Sequence, residues 1–379
     1  MVEVVLAAPV KTVVPVVKVV GNSCNARCSY CFYHMEDQTI GSVMKLTLLE
    51  KFIKEYLEIF QGDVCFNWHG GEPLLAGIDF FRKIVEYENL YRSSTSSIHN
   101  TVQTNGVLLN REWAVFFKQH DFGVGVSVDG DKESHDLFRK TASGASIFSA
   151  TLRGIEILRE HGLEPGIIQT VTHTSVKRAE GDFDFFAHEL KCKHWGINFF
   201  SDPHGSNPDM KGESFTNEDL IQLMTVYLEK WTEEGDAEFY IRELDNLICG
   251  ITGKRTISCN WNGSCAAFIC VDFDGTVHAS CDRMSSRPEA VIGNVEQQPL
   301  LEILNGEKRQ SYLWRVNEIP DSCERCEWLN ACRNGCAADR EGKLGGKYLF
   351  CSGRKILFEK VKDFVGAQVI SEQKGGERV

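Results

Sequence analysis

Cysteine placement constrains this chain more than any other feature. Of fifteen cysteines in 379 residues, three fall close together as Cys24, Cys28 and Cys31. Eight more crowd the C-terminal third as Cys259, Cys265, Cys281, Cys323, Cys326, Cys332, Cys336 and Cys351, while Cys65, Cys192, Cys249 and Cys270 stand apart. A chain this long can bury a large core without staples, so clustered thiols point to metal rather than to a disulfide framework. The odd total favours a reducing compartment. The first residues agree, because Glu3, Lys11 and Lys18 interrupt any apolar stretch of the secretory kind. A cytoplasmic location is expected.

With 42% hydrophobic and 25% charged residues, the composition is that of a globular domain. No run approaches the roughly 18 apolar residues of a membrane span, so no membrane association is expected. The 53 acidic against 41 basic residues give a net charge of −12, which argues against a broad nucleic-acid footprint.

Along the chain, β-branched runs alternate with helical stripes. Thr12 to Val20 reads as a buried strand, and Leu48, Leu49, Phe52, Ile53, Tyr56, Leu57 and Phe60 form a helical stripe behind a capping-box pattern at Thr47 and Glu50. Strands are expected at 64–68, 99–104, 123–128, 167–171 and 195–200, with helices at 78–90, 111–120, 147–161 and 183–190. About six β/α units of this kind predict an α/β fold, a parallel sheet with crossover helices that forms either an open doubly wound sheet or a barrel-like arc. Ligands should then lie at the carboxyl ends of the strands. Beyond a polar stretch, 201–216, a helix at 218–234 precedes the cysteine-rich region, where Asp274-Gly275 suggests a type I′ hairpin returning Cys281 toward Cys265. A final helix is expected at 355–365, before a frayed polar end.

The first cluster has the spacing C-x3-C-x2-C on a loop directly after a strand. Three thiolates can hold a [4Fe–4S] cluster and leave one iron for an outside ligand; zinc would need a fourth donor such as His34. With Tyr30 just before the last cysteine, this loop resembles that of the radical S-adenosylmethionine (SAM) enzymes. The resemblance implies a partial (β/α)6 TIM-like barrel whose open iron binds SAM, with reductive cleavage yielding a 5′-deoxyadenosyl radical. Gly70, Gly71, Glu72 and Pro73 resemble the GGEP motif that holds the SAM amino group in that family. Gln103-Thr104-Asn105-Gly106, Ser127-Val128-Asp129-Gly130 and His135 to Arg139 resemble its later strand-end motifs. By that resemblance Asn105, Ser127 and Arg139 join the SAM contacts; a strand-end cap for Ser127 and a solvated helix start for Arg139 are the plainer alternatives.

The eight C-terminal cysteines resemble the SPASM extension of such enzymes. That resemblance implies one auxiliary [4Fe–4S] cluster on Cys259, Cys265, Cys281 and Cys336 and another on Cys323, Cys326, Cys332 and Cys351, hence three clusters in all; two zinc sites are the alternative. It divides the chain into a radical SAM core at 1–215, a helical linker at 216–258, a SPASM domain at 259–365 and a flexible tail at 366–379. Cys270 reads as a packed strand residue that could substitute as a ligand, and Cys65, Cys192 and Cys249 as small core residues. Asp282, next to Cys281, is where sulfatase-maturating members place a proposed base; a loop cap is its structural alternative. The whole chain resembles both anaerobic sulfatase-maturating enzymes and maturases of ribosomal peptides. Because Asn198 to His204 and Gly263 to Ala267 depart from the sulfatase branch, the expected substrate is a ribosomal precursor peptide that loses a side-chain hydrogen, at Cβ, to give a crosslink or an oxidised residue; the alternative is an anaerobic sulfatase-maturating enzyme making formylglycine from Cys or Ser. A peptide or protein substrate and an external electron donor of flavodoxin or ferredoxin type are the expected partners.

Overall fold

The computed structural model describes residues 13–35, 42–202, 207–236, 238–342 and 344–375. Thr12, Pro203, His204 and the last four positions of the expected tail lie outside the described residues. The chain divides into two compact units, one of Met1–Val128, His135–Ile167 and Cys265–Val316, the other of Asp129–Ser134, Ile168–Ser264 and Asn317–Val379.

In the first unit β1 (Val14–Lys18), β2 (Asp63–His69), β3 (Ser97–Thr104) and β4 (Phe122–Ser127) pair side by side and in parallel. The connections are helices, α1 (Leu46–Ile59), α2 (Ile78–Tyr91) and α3 (Arg111–Gln119). The stripe expected on α1 is buried at Leu48, Leu49, Phe52, Ile53, Tyr56 and Leu57. Its capping box does not form: Lys45 is the N-cap, so Thr47 already lies inside the first turn. A true capping box sits at Thr216, whose hydroxyl accepts from Asp219 N at 3.1 Å while the Asp219 carboxylate accepts from Thr216 N at 2.9 Å. The second unit holds β5 (Gly166–Val171, its first two residues in the first unit), β6 (His194–Phe199) and β7 (Tyr240–Ile241), the last two in parallel. The fold class is therefore mixed α/β with an unclosed parallel sheet, as the alternation predicts.

Four features differ from the expectation or were not legible beforehand. β8 (Phe268–Asp272) pairs in parallel with β1, so the cysteine-rich segment extends the sheet of the first unit on its other side, followed by antiparallel β9 (Thr276–His278) and β10 (Val291–Asn294). The β8–β9 connection has three residues, with Gly275 at φ +87° as its one left-handed position; a type I′ turn needs two, and Asp274 is not one of them. The helix expected at 183–190 is an α-helix at Ala179–Asp184 that passes into a π-helical turn at Phe185–Glu189. The last helix starts earlier than expected, at Cys351, and continues to Gly375 because no proline stops it. Among the described residues no helix is long and apolar enough to cross a membrane.

An aromatic cluster fills the space between α2, α3 and the sheet. Phe81 is fully buried, with ring centroids of Trp113, Phe122 and Trp68 at 5.1, 6.2 and 6.4 Å. Beside it Trp68 Nε1 donates to Asn100 Oδ1 at 2.7 Å, and Asn100 Nδ2 donates to Glu88 Oε2 at 2.9 Å. Glu88 Oε1 has no partner, and burial pushes this carboxyl up to about 8.

A raised folded-state pKa means that Glu88 contributes stability below its ordinary value, about 4.5, and that this contribution is lost as pH rises through about 8. Glu88→Gln keeps the acceptor for Asn100 and removes the ionisation. Denaturant unfolding at pH 9 should therefore give the variant a gain of at least about 1.4 kcal/mol, the equivalent of one pKa unit, with little difference at pH 5. Equal stability at both pH values would remove this role.

Candidate functional site

The first three cysteines are placed by backbone, not by side chains. β1 ends at Lys18 and the chain turns through Gly21 and Ser23 into the cysteine loop. There Gly71 N donates to Gly21 O at 2.9 Å and Glu72 N to Ser23 O at 2.8 Å. A Cβ on Gly71 would stand 2.0 Å from Ser23 O, and Gly70 has φ +113°, so only two glycines let the end of β2 lie against the loop this closely. On the other side Arg27 N donates to Lys140 O at 2.6 Å and Ser29 N to Phe138 O at 2.9 Å.

The resemblance-derived residues gather around this loop. Glu72 is fully buried; it accepts from Leu74 N at 3.1 Å, Thr104 Oγ1 at 2.8 Å and Asn105 N at 2.8 Å. Burial pushes its carboxyl up to about 7 against the pull of these three donors. Pro73 is buried at the start of the turn Pro73–Ala76. Asn105 Nδ2 reaches Asn25 Oδ1 at 2.7 Å and Cys24 Sγ at 3.7 Å. Arg139 is buried, not solvated; it follows the short helix Lys132–Phe138, its Nη1 lies 3.9 Å from Cys28 Sγ, and its guanidinium sits 5.3 Å from the Tyr30 ring centroid. Ser127 Oγ accepts from Gln103 Nε2 at 3.0 Å at the end of β4. Burial, and then the Glu72 charge, pushes the Cys24 thiol up to about 12. A thiolate at this position needs a cation beside it, and an iron of a cluster supplies one.

Asp282 is not a loop cap. Its carboxylate accepts from the Tyr33 hydroxyl, and His69 Nδ1 stands 3.5 Å from the same Oδ2 and 3.4 Å from the Tyr33 hydroxyl. Burial, then the Asp282 charge, holds Tyr33 well above the usual phenol range, so it remains a donor. Behind Tyr33, Lys18 Nζ lies 4.9 Å from the ring centroid and pairs with Asp272 at 2.8 Å. Tyr33 and His69 were missed in the sequence. Their signal was adjacency: Tyr33 follows Cys31 by two positions, and His69 directly precedes Gly70.

Of the remaining cysteines, Cys265 and Cys281 belong to the first unit, where the Tyr312 hydroxyl feels both: burial first, then these two thiols, push it above the usual range. Cys259 and Cys336 belong to the second unit. There Cys323, Cys326, Cys332 and Cys351 line one cavity together with Trp328, Tyr348 and Arg354. Among the described residues no His, Cys, Asp and Glu group is arranged to hold a single metal ion. The donor set fits a cluster, four soft thiols spread around an enclosed space with a buried cation beside them. Cys270 is fully buried in β8, as expected of a packed residue, and Cys192 is buried too, whereas Cys65 and Cys249 are only half-buried. No disulfide joins any of the fifteen cysteines.

Comparison with known proteins places this geometry. Residues 19–183 match the Radical SAM superfamily and residues 249–327 the SPASM iron-sulfur cluster-binding domain. A serine-type anaerobic sulfatase-maturating enzyme of Bacteroides thetaiotaomicron is 30% identical, over 94% of this chain and 92% of its own length. A cysteine-type counterpart of Clostridium novyi is 29% identical, over 92% of this chain and 95% of its own length. Among solved structures, native anSMEcpe with bound AdoMet and the Cp18Cys peptide superposes with a TM-score of 0.85 at 28% identity, covering 95% of this chain and 99% of that one. Streptococcus suis SuiB bound to its precursor peptide SuiA shares the fold, with a TM-score of 0.65 at 13% identity over 89% of this chain and 74% of that one.

The close approach at Gly71 yields a direct test. Gly71→Ala should displace the cysteine loop and cost one cluster, so iron after anaerobic reconstitution should fall by about four atoms from about 12 per chain. A variant that loads the parent amount of iron and cleaves SAM at the parent rate would refute the claim that this contact positions the loop.

Proposed function

Because this chain belongs to the anaerobic sulfatase-maturating family of radical SAM/SPASM enzymes, we propose that it oxidises a cysteine or serine side chain of a sulfatase-type polypeptide to formylglycine. The observation that carries this reading is the Asp282 carboxylate, held by the Tyr33 hydroxyl and flanked by His69, beside Cys281. The crosslinking of a ribosomal precursor expected from the sequence has weaker support. Relatives spanning nearly the whole chain are sulfatase-maturating enzymes of both serine and cysteine type, whereas the likeness to SuiB is one of fold alone.

In this reading the first cluster and SAM, when bound, would supply the radical chemistry that removes one hydrogen atom from the substrate Cβ, and the auxiliary clusters would offer an acceptor for the remaining electron. What the chain itself must do is hold SAM and remove a proton. Cys24, Cys28 and Cys31 would hold the first cluster, and Gly70, Gly71, Glu72, Pro73 and Asn105, with Tyr30, Ser127 and Arg139, would bind SAM beside it. Within the second unit Cys323, Cys326, Cys332 and Cys351 would hold an auxiliary cluster. Asp282 would take the proton from the substrate Oγ–H or Sγ–H as the carbon radical gives up its electron, leaving an aldehyde from Ser, or from Cys a thioaldehyde that water hydrolyses with loss of hydrogen sulfide. Tyr33 keeps the carboxylate oriented, and its own raised pKa keeps it from competing as the base. An external carrier of flavodoxin or ferredoxin type delivers the priming electron.

The test is anaerobic incubation of reduced enzyme and SAM with two peptides, one carrying Cys and one Ser before x-Pro-x-Arg. Formylglycine in at least one is expected; none in either, with a crosslink in a small precursor peptide encoded beside the gene, would overturn the proposal. Asp282→Asn should still produce 5′-deoxyadenosine while formylglycine falls by roughly 10²–10⁴-fold, the usual contribution of a positioned base. Tyr33→Phe should lose less. Parent-level product from Asp282→Asn would remove Asp282 from the mechanism.

A further inference from the structure

Arg354 occupies an unusual position for a charged residue. It follows Cys351 by three residues on the same helix, so the two side chains share a face. Its side chain is 1% exposed, and the guanidinium lies between two rings, 3.8 Å from the Trp261 centroid and 4.4 Å from that of Tyr348. Nη1 donates to Asn260 O at 2.8 Å and reaches Cys332 O at 3.5 Å and Cys332 Sγ at 3.6 Å. Nη2 has no partner among the described residues. No carboxylate among them is paired with this cation. Aromatic faces and carbonyls soften the burial of a guanidinium but do not neutralise it.

The missing counter-charge has an evident source. Arg354 lines the same cavity as Cys323, Cys326, Cys332 and Cys351. Four thiolates around an oxidised [4Fe–4S] core leave a net charge of −2, and one-electron reduction makes it −3. A fixed cation with N–H donors toward the sulfurs favours the more negative state, and hydrogen bonds, local charge and solvent exclusion are the protein's levers on cluster potential. A lysine could supply charge, but not a planar group that stacks between two rings while directing a donor at sulfur.

We propose that Arg354 raises the reduction potential of the cluster held by Cys323, Cys326, Cys332 and Cys351, making that cluster the preferred resting place for the electron released from the substrate. It acts as a positioning residue for charge and touches no substrate. The proposal rests on the reading that these four thiols hold a cluster.

The experiment is an EPR-monitored redox titration of anaerobically reconstituted protein, in a Cys24→Ala/Cys28→Ala/Cys31→Ala background that leaves two clusters. Arg354→Met removes the charge at similar length, and Arg354→Lys keeps the charge without the fork. With iron at about eight atoms per chain in each protein, one of the two midpoint potentials should fall in Arg354→Met by at least 59 mV, a tenfold change in a one-electron equilibrium. Arg354→Lys should fall less, and the other cluster should move less than this one. Unchanged potentials with full iron overturn the proposal. A second measurement keeps Arg354 in place: with guanidino-15N arginine, pulsed EPR of the reduced protein should detect nitrogen coupling that disappears in Cys326→Ala/Cys351→Ala. Absence of that coupling overturns the role of Arg354, whereas full iron in Cys326→Ala/Cys351→Ala overturns the cluster reading beneath it.

Discussion

The buried ion pair between Lys18 and Asp272 is the contact on which the site in the first unit depends. Lys18 ends β1, and in the sheet it stands in register with Asp272 of β8 on one side and with His69 of β2 on the other. A buried pair of this kind is poor evidence for stability, since a well-packed apolar pair is often as good, but loss of one partner leaves a charge stranded at about 3–5 kcal/mol. A shift of β8 by one residue would do this, because alternate residues face opposite sides of the sheet. The pair therefore sets which residues of the cysteine-rich segment meet which residues of the barrel. Asp282, four residues beyond the end of β9, meets Tyr33 only in that register.

Around that register the electrostatics are arranged by what each group lacks. Cys24 and Glu72 are both held above their ordinary range, Cys24 by burial and then by the Glu72 charge, Glu72 by burial. Cationic counterweights are few: Lys18 is committed to Asp272, and Arg139 lies beside Cys28 and Tyr30. The protein part of the site is thus short of positive charge, as expected where iron and a sulfonium are to be accommodated.

Local signals carried much of the fold and of the first cluster. The three-cysteine spacing, the glycine pair and the β/α alternation are each written within a few residues, and periodicity gave the buried stripe of α1 residue by residue. Long-range facts were not written locally. Nothing in the spacing says that β8 pairs with β1, because parallel pairing joins segments some 250 residues apart and leaves no turn to read. Tyr33 and His69 were invisible for the same reason: each is adjacent to a motif, but only tertiary structure turns both toward Asp282. The capping box at Thr47 was a false local signal, overridden where Lys45 caps the helix two residues earlier. Arg354 looked like one more basic residue of a terminal helix until its burial and its neighbours were known.

Proton and electron removal place unequal demands on a fold, and the two sets of residues differ accordingly. A proton must be taken across a single hydrogen bond, so the base has to be fixed to within a fraction of an ångström. Asp282, the proposed base, is held by a phenol from the cysteine loop, an imidazole from the end of β2 and a strand register set by a buried ion pair. An electron can travel farther, so its acceptor needs energy more than aim. Around Cys323, Cys326, Cys332 and Cys351 the protein supplies a small cavity, two aromatic faces and a buried guanidinium with no carboxylate partner among the described residues. Substitutions near Asp282 should therefore act through geometry and be felt as lost product. Those near Arg354 should act through potential, changing where the electron rests without changing how the substrate is held.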